Sequence, residues 1–173
     1  MLAAVSPQTV LLWFAVGAVA CNAATLWLLV RAGAPVAAVG RHAVPLAALA
    51  TTAAVAGSLY LSEVAHFLPC RYCWFQRIAM YPLALVLVIA WITGDKGVRR
   101  YALPLSLVGL AFSVWHYLVQ RFPSWESSGS CDIDNPCTLT LAWKFHFVSI
   151  PYMAGSVFAL TTVMLLVGRR VRR

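Results

Sequence analysis

Charge is scarce in this chain. Its 173 residues include only 13 Lys and Arg and five Asp and Glu, so charged residues make up 10% of the total. A water-soluble domain carries about a quarter, and this chain cannot cover its own surface with charge. The shortage excludes a soluble enzyme, a nucleic-acid-binding module and a disordered tail. No glycine-rich phosphate or dinucleotide motif is present, and histidines stand only at 42, 66, 116 and 146, too few and too scattered for haem. Long repeats and low-complexity tracts are also missing. The net charge of +8 comes from short basic clusters between apolar runs. Such placement is a topology signal and a contact for anionic lipid headgroups, with no nucleic-acid partner expected.

Apolar side chains are abundant, at 62% of the chain. They form five runs, at about 9–30, 43–67, 74–93, 101–120 and 148–167. Each is near the ~20 residues that a spanning helix needs. Backbone groups in lipid must pair within their own segment, and barrel strands would be about half as long and alternating, so the runs predict helices. Small residues crowd the second run (Ala47, Ala50, Thr51, Ala54, Gly57, Ser58), which predicts a central, closely packed helix. Pro82, Pro104 and Pro151 are placed near the starts of the third, fourth and fifth helices, where a proline kinks without breaking the span.

The loops 31–42 and 94–100 and the tail 168–173 hold two, three and four of the 13 basic residues. Placing them on one side makes that side cytoplasmic. The N-terminus, the link 68–73 and the segment 121–147 then face outward. The first residues lack the basic region of a cleavable signal peptide.

Cys21 lies inside the first run and reads as an inert buried thiol. The other cysteines form two pairs, Cys70/Cys73 and Cys131/Cys137. Both pairs fall on the outward side, where disulfides persist. Cys70 and Cys73 sit at a helix start, one turn apart, near enough to bridge. The positive end of the helix and Arg77, one turn deeper, would favour a thiolate. A bridge over two residues constrains the unfolded chain little, so a redox centre explains it better than a staple. Cys131 and Cys137 lie in a polar loop with Ser127, Ser128, Gly129 and Ser130 before them and a turn at Asn135-Pro136. A rigid pair beside an accessible one suggests a two-stage relay. A four-cysteine zinc site is the competing reading, weakened by the spacing of the second pair and by Arg71 and Arg77. No metal is expected.

Such a relay needs an acceptor, and only a lipid-soluble one reaches a site at the membrane edge. That points to a quinone, which takes two electrons and two protons. Arg77, Gln76, Glu63, His66, His116 and Gln120 lie near the outer helix ends and are the polar groups to bind it or pass protons, Glu63 and His66 as a helical i, i+3 pair; polar helix ends meeting headgroups are the plainer explanation. The stretch 139–147 is short and amphipathic, and suits either an interfacial segment or loop filling.

These residues resemble a known family. Ser62-Glu63, Pro69-Cys70-Arg71-Tyr72-Cys73-Trp74-Phe75-Gln76-Arg77 and Met80-Tyr81-Pro82-Leu83, then His116, Gln120 and Pro123, the loop cysteines and Ser149-Ile150-Pro151, are similar to the disulfide bond formation proteins DsbB and BdbC, chiefly the BdbC-like branch. The likeness covers about 43–167. It implies a four-helix bundle in a bacterial plasma membrane that re-oxidises a secreted thioredoxin-fold, DsbA- or BdbD-like oxidase and reduces ubiquinone or menaquinone. On that analogy Cys131 forms the mixed disulfide, Cys137 resolves it, the electrons pass to Cys70/Cys73, and Cys73 faces the quinone beside Arg77 and His116. Two features depart from the pattern: the first helix is additional, and the loop cysteines are closer together than in DsbB.

The expected fold is thus an all-α polytopic membrane protein, a four-helix transmembrane bundle with one additional N-terminal transmembrane helix. Its parts are 1–42 (extra helix and cytoplasmic loop), 43–167 (bundle, with the cysteine loop 121–147) and 168–173 (basic cytoplasmic tail). The rivals are a vitamin K epoxide reductase-like enzyme, disfavoured because its loop pair precedes the Cys-x-x-Cys, and a non-enzymatic scaffold stapled by disulfides or zinc.

Overall fold

The structure is a computed structural model that describes residues 6–31, 34–95, 97–126, 131, 135–140 and 143–170. The N-terminal residues before Ser6, Lys96, the run 127–130, Asp132, Asp134, Arg172 and Arg173 lie outside the described residues.

Helices account for nearly everything described: α1 (Pro7–Val30), α2 (Ala34–Arg41), α3 (Ala43–Leu59) running into a π-helical turn (Tyr60–Val64), α4 (Arg71–Thr93), α5 (Arg99–Arg121) and α6 (Ile150–Arg170). Five segments are long and apolar enough to cross a membrane: α1, α3 with its π turn, α4, α5 and the part of α6 up to Gly168. The protein is an all-α, multi-pass membrane protein. Large apolar side chains on the outside, such as Trp13, Leu29, Ile78 and Ile92, are exposed as lipid-facing residues should be.

Local chemistry sets the helix ends. Ser6 caps α1 by accepting from the Thr9 backbone N–H at 3.3 Å, with Pro7 at the first helical position. Gly94 ends α4 at φ +67°, and the Asp95 N–H closes on the Ala90 carbonyl at 3.0 Å. The π turn is registered by the Ala65 N–H bonding the Tyr60 carbonyl at 3.0 Å.

Two expectations need correcting. The small-residue helix α3 is not the centre of the bundle. That place belongs to α6, half of whose membrane-spanning stretch is buried, against a third for α3 and its π turn. The small face of α3 (Ala50, Ala54, Gly57, Ser58) borders a cavity, and at Gly57 the Phe14 ring of α1 takes up the space of the missing side chain. Pro82 is mid-helix in α4, not near its start, because α4 begins at Arg71; the proline removes one internal hydrogen bond there. The loop 31–42 also folds a short helix, α2. The stretch 139–147 forms no helix among its described residues; Lys144 pairs with Val148 across a turn in which Phe145 and His146 have positive φ.

Lipid offers no hydrophobic drive to hold helices together, so close packing and polar contacts do it. The Ser106 hydroxyl on α5 donates to the Phe158 carbonyl of α6 at 2.9 Å and meets Thr162 Oγ1 at 2.7 Å. Asn22 on α1 donates to Tyr152 Oη at 2.7 Å and Ser156 Oγ at 2.9 Å on α6. Phe158 is fully buried with its ring over Gly109.

Gly109→Ala would push a methyl into the Phe158 ring and is expected to cost about 1–3 kcal/mol. Phe158→Leu in the same molecule should recover part of that loss. Thermal unfolding in detergent measures both; an unchanged midpoint for Gly109→Ala would contradict the packing described.

Candidate active site

The short link 65–69 brings the chain from α3 to the start of α4, and Cys70 is the N-cap of that helix. Cys73 follows one turn in. The Cys70 and Cys73 sulfurs stand 3.0 Å apart, within the helix-start field that favours a thiolate. The loop pair is joined as a Cys131–Cys137 disulfide with Cα atoms 5.8 Å apart. Cys137 is fully buried, whereas Cys131 is partly exposed.

His116 on α5 joins the two pairs. It is 1% exposed. Its Nδ1 accepts from Gln76 Nε2 at 3.1 Å, which leaves the proton on Nε2. That nitrogen donates to the Cys137 carbonyl at 3.1 Å and lies 3.6 Å from Cys70 Sγ. The other side of Cys137 is held too: its N–H donates to Glu126 Oε1 at 3.1 Å. The loop is further tied by Gln120 Nε2 donating to the Leu139 carbonyl at 3.2 Å and by Arg121 lying 5.0 Å over the Trp143 ring.

The Cys70 thiol is pulled down to about pKa 4. The hydrogen bond from Cys73 is the largest cause, and His116 adds to it against the opposing effect of burial. A stabilised thiolate makes the dithiol form favourable and the corresponding disulfide oxidising.

Two spaces meet at this site. A narrow cleft of about 20 Å³ lies between the start of α4 and the loop, bordered by Cys70, Cys73, His116, Gln120, Asn135 and Pro136. A larger cavity of about 260 Å³ opens on the other side, among α1, α3, α4 and α6. Its walls are largely apolar, with Cys73, Gln76 and Arg77 as the polar groups nearest the helix start. Cys70 borders the cleft alone, whereas Cys73 borders both spaces. Arg77 is held by donating to the Ser58 carbonyl at 3.0 Å and by the Trp74 ring at 5.4 Å.

Of the residues singled out from sequence, Cys70, Cys73, Gln76 and His116 converge directly, Cys137 joins them through its carbonyl, and Arg77 and Gln120 line the adjoining spaces. Glu63 is exposed, accepts from Ser62 Oγ at 3.0 Å, and borders neither space. His66 has left the helix at φ +54°, so the expected i, i+3 pairing with Glu63 is not formed. Glu126 was missed; a lone carboxylate five residues before Cys131 gives no sign that it will cap the Cys137 amide. The four cysteines do not meet at one point as a four-thiolate metal site requires. Cys70 and Cys73 group with His116, and Cys131 and Cys137 with Glu126.

In reduced protein Cys70 should alkylate readily at pH 6, with the rate falling only as pH drops towards about 4. The sign follows from the thiolate being the reactive form. Cys73→Ala removes the main hydrogen bond and should move the midpoint up towards the ordinary thiol range. Mass spectrometry of the Cys70 peptide reads both; equal midpoints in the two proteins would contradict the assignment.

The profile of the family "Disulfide bond formation protein DsbB" matches residues 40–168. The chain is 41% identical over 112 residues to Disulfide bond formation protein C of Bacillus subtilis, covering 65% of this chain and 81% of that protein. A Probable disulfide formation protein of Deinococcus radiodurans is 39% identical over 132 residues, covering 69% and 84%, and one of Oceanobacillus iheyensis is 43% identical over 112 residues, covering 64% and 77%. No solved structure matches. The matched residues contain both cysteine pairs, Arg77 and His116, and the chain belongs to the DsbB family, as a disulfide-forming membrane protein.

Proposed function

We propose that the protein is a thiol:quinone oxidoreductase of the bacterial plasma membrane, which re-oxidises a secreted, DsbA- or BdbD-like thioredoxin-fold oxidase. Both cysteine pairs face the extracytoplasmic side and the C-terminus the cytoplasm, consistent with the basic clusters. The observation that carries the reading is the position of Cys73, between a cleft walled by the loop residues Asn135 and Pro136 and an apolar cavity open to a lipid-soluble molecule.

A partner thiolate attacks Cys131, the more accessible sulfur, and the Cys131–Cys137 bond breaks with Cys137 leaving as a thiolate. The partner's second thiolate, and not Cys137 as the family likeness implied, resolves this mixed disulfide, because attack by Cys137 would only re-form the starting bond; the partner closes its own disulfide and releases Cys131. The loop pair, now reduced, attacks a Cys70–Cys73 disulfide: Cys137 bonds Cys70, Cys73 leaves, and Cys131 then recloses on Cys137. The loop disulfide is restored, and Cys70 and Cys73 become a dithiol. His116 holds Cys137 over Cys70 for this transfer, and its Nε2 proton stabilises negative charge on the Cys70 sulfur.

The cavity fits a quinone: its polar groups lie beside Cys73, and its remaining walls suit an apolar tail. When bound, the quinone accepts the two electrons and two protons of the dithiol. The Arg77 guanidinium and the Gln76 amide are placed to orient a quinone oxygen near Cys73. Glu63, exposed near the same helix ends, is assigned to proton exchange with water.

The test uses purified protein, a reduced thioredoxin-fold substrate and a short-chain quinone, followed anaerobically by absorbance. Cys73→Ala should abolish quinone reduction. Arg77→Ala should raise the quinone KM about tenfold, the effect of losing one charge-assisted hydrogen bond, and leave exchange with the partner intact. Normal quinone reduction by Cys73→Ala would overturn the route.

A further inference from the structure

The additional helix α1 lies outside the matched residues 40–168, yet it forms one side of the cavity that contains Cys73 and Arg77, contributing Phe14, Gly17, Ala18 and Cys21. It is not a loose anchor. Leu11 and Ala15 are fully buried, and the two hydrogen bonds from Asn22 to α6 fix its register.

Helix α1 has a glycine, Gly17, at its middle. Glycine is unfavourable inside a helix and usually has a packing reason. Gly57 and Gly109 have one, since a Cβ on either would strike the ring of Phe14 or Phe158. Gly17 has no such reason: a Cβ there would meet no protein atom within 4 Å. Gly17 is exposed and lines the cavity. The polar groups of that cavity come from α4 and α3, whereas the α1 wall is apolar.

We propose that α1 builds the subsite for the quinone's isoprenoid tail, and that Gly17 is the position on this helix that gives the tail room. This rests on the quinone reading above. The reacting ring lies at the Cys73–Arg77 end, and the tail passes between Gly17 on α1 and the small face of α3. The extra helix thereby selects quinones by their tails and takes no part in thiol exchange.

The test is Gly17→Leu, which adds a side chain whose Cβ meets no protein atom within 4 Å and which favours the helix. KM for decylubiquinone should rise about tenfold, while KM for tail-less duroquinone and exchange with the reduced partner stay unchanged. Val16→Leu, on an exposed part of the same helix away from the cavity, should behave like the native protein with both quinones. Equal effects on the two quinones, or none, overturn the tail subsite, and the quinone reading survives if Arg77→Ala still raises both KM values. If Arg77→Ala is also silent, both ideas fall. A second measurement needs no substitution. With both pairs oxidised, Cys21 is the remaining thiol, and decylubiquinone should slow its alkylation by a membrane-permeant maleimide while duroquinone does not. Equal protection by the two quinones, or none, overturns the proposal.

Discussion

A buried imidazole must find partners for both of its nitrogens, and leaving either unpaired would cost about 1–3 kcal/mol. His116 meets this demand with the Gln76 amide on one side and the Cys137 carbonyl on the other. The second bond is to a loop, so satisfying a helix residue also fixes the loop. Glu126 holds the neighbouring amide, and Cys137 is thus restrained on both sides of its own peptide backbone. The loop disulfide is brought over the start of α4, and Cys70 comes to lie within 3.6 Å of the same ring. His116 is the side chain that bonds the Cys137 backbone and also reaches the Cys70 sulfur.

Around that clamp the surroundings change from polar to apolar. The loop side offers a cleft of about 20 Å³, room for one water molecule. The membrane side offers a cavity of about 260 Å³. Cys73 lies at the boundary, and Cys70 does not border the larger space. The lowered pKa of Cys70 in the reduced pair fits the same division: the sulfur that borders only the cleft accepts the hydrogen bond, and the one that also borders the cavity supplies it. Two cysteines one turn apart on a helix are thereby given unequal tasks.

Much of the fold was legible because lipid leaves a chain few choices. Runs of about 20 apolar residues must be helices, and all five appear. The Cys-x-x-Cys at a helix start was readable for the same local reason, since Pro69 and the start of the apolar run mark the boundary. What could not be read was long-range. His116 meets Gln76 forty residues away and Cys70 forty-six residues away, and no periodicity encodes such meetings. The small residues of α3 were misjudged because composition gives the size of side chains but does not say whether a neighbour fills the space. Glu63 and His66 were paired on the assumption of a continuous helix, which the π turn and the positive φ at His66 break. The contribution of α1 to the cavity was invisible for a further reason. An apolar helix with no charged group has the same composition whether it faces lipid, protein or a ligand.

The central claim is that His116 holds the loop pair over Cys70, and trapping the link between the pairs tests it most directly. In a protein carrying Cys73→Ala and Cys131→Ala, the two remaining paired cysteines have lost their usual partners. Mild oxidation and non-reducing peptide mapping should find a Cys70–Cys137 disulfide, and adding His116→Ala should sharply reduce its yield. A failure of Cys70 and Cys137 to cross-link, or the same yield with and without His116, would contradict the account.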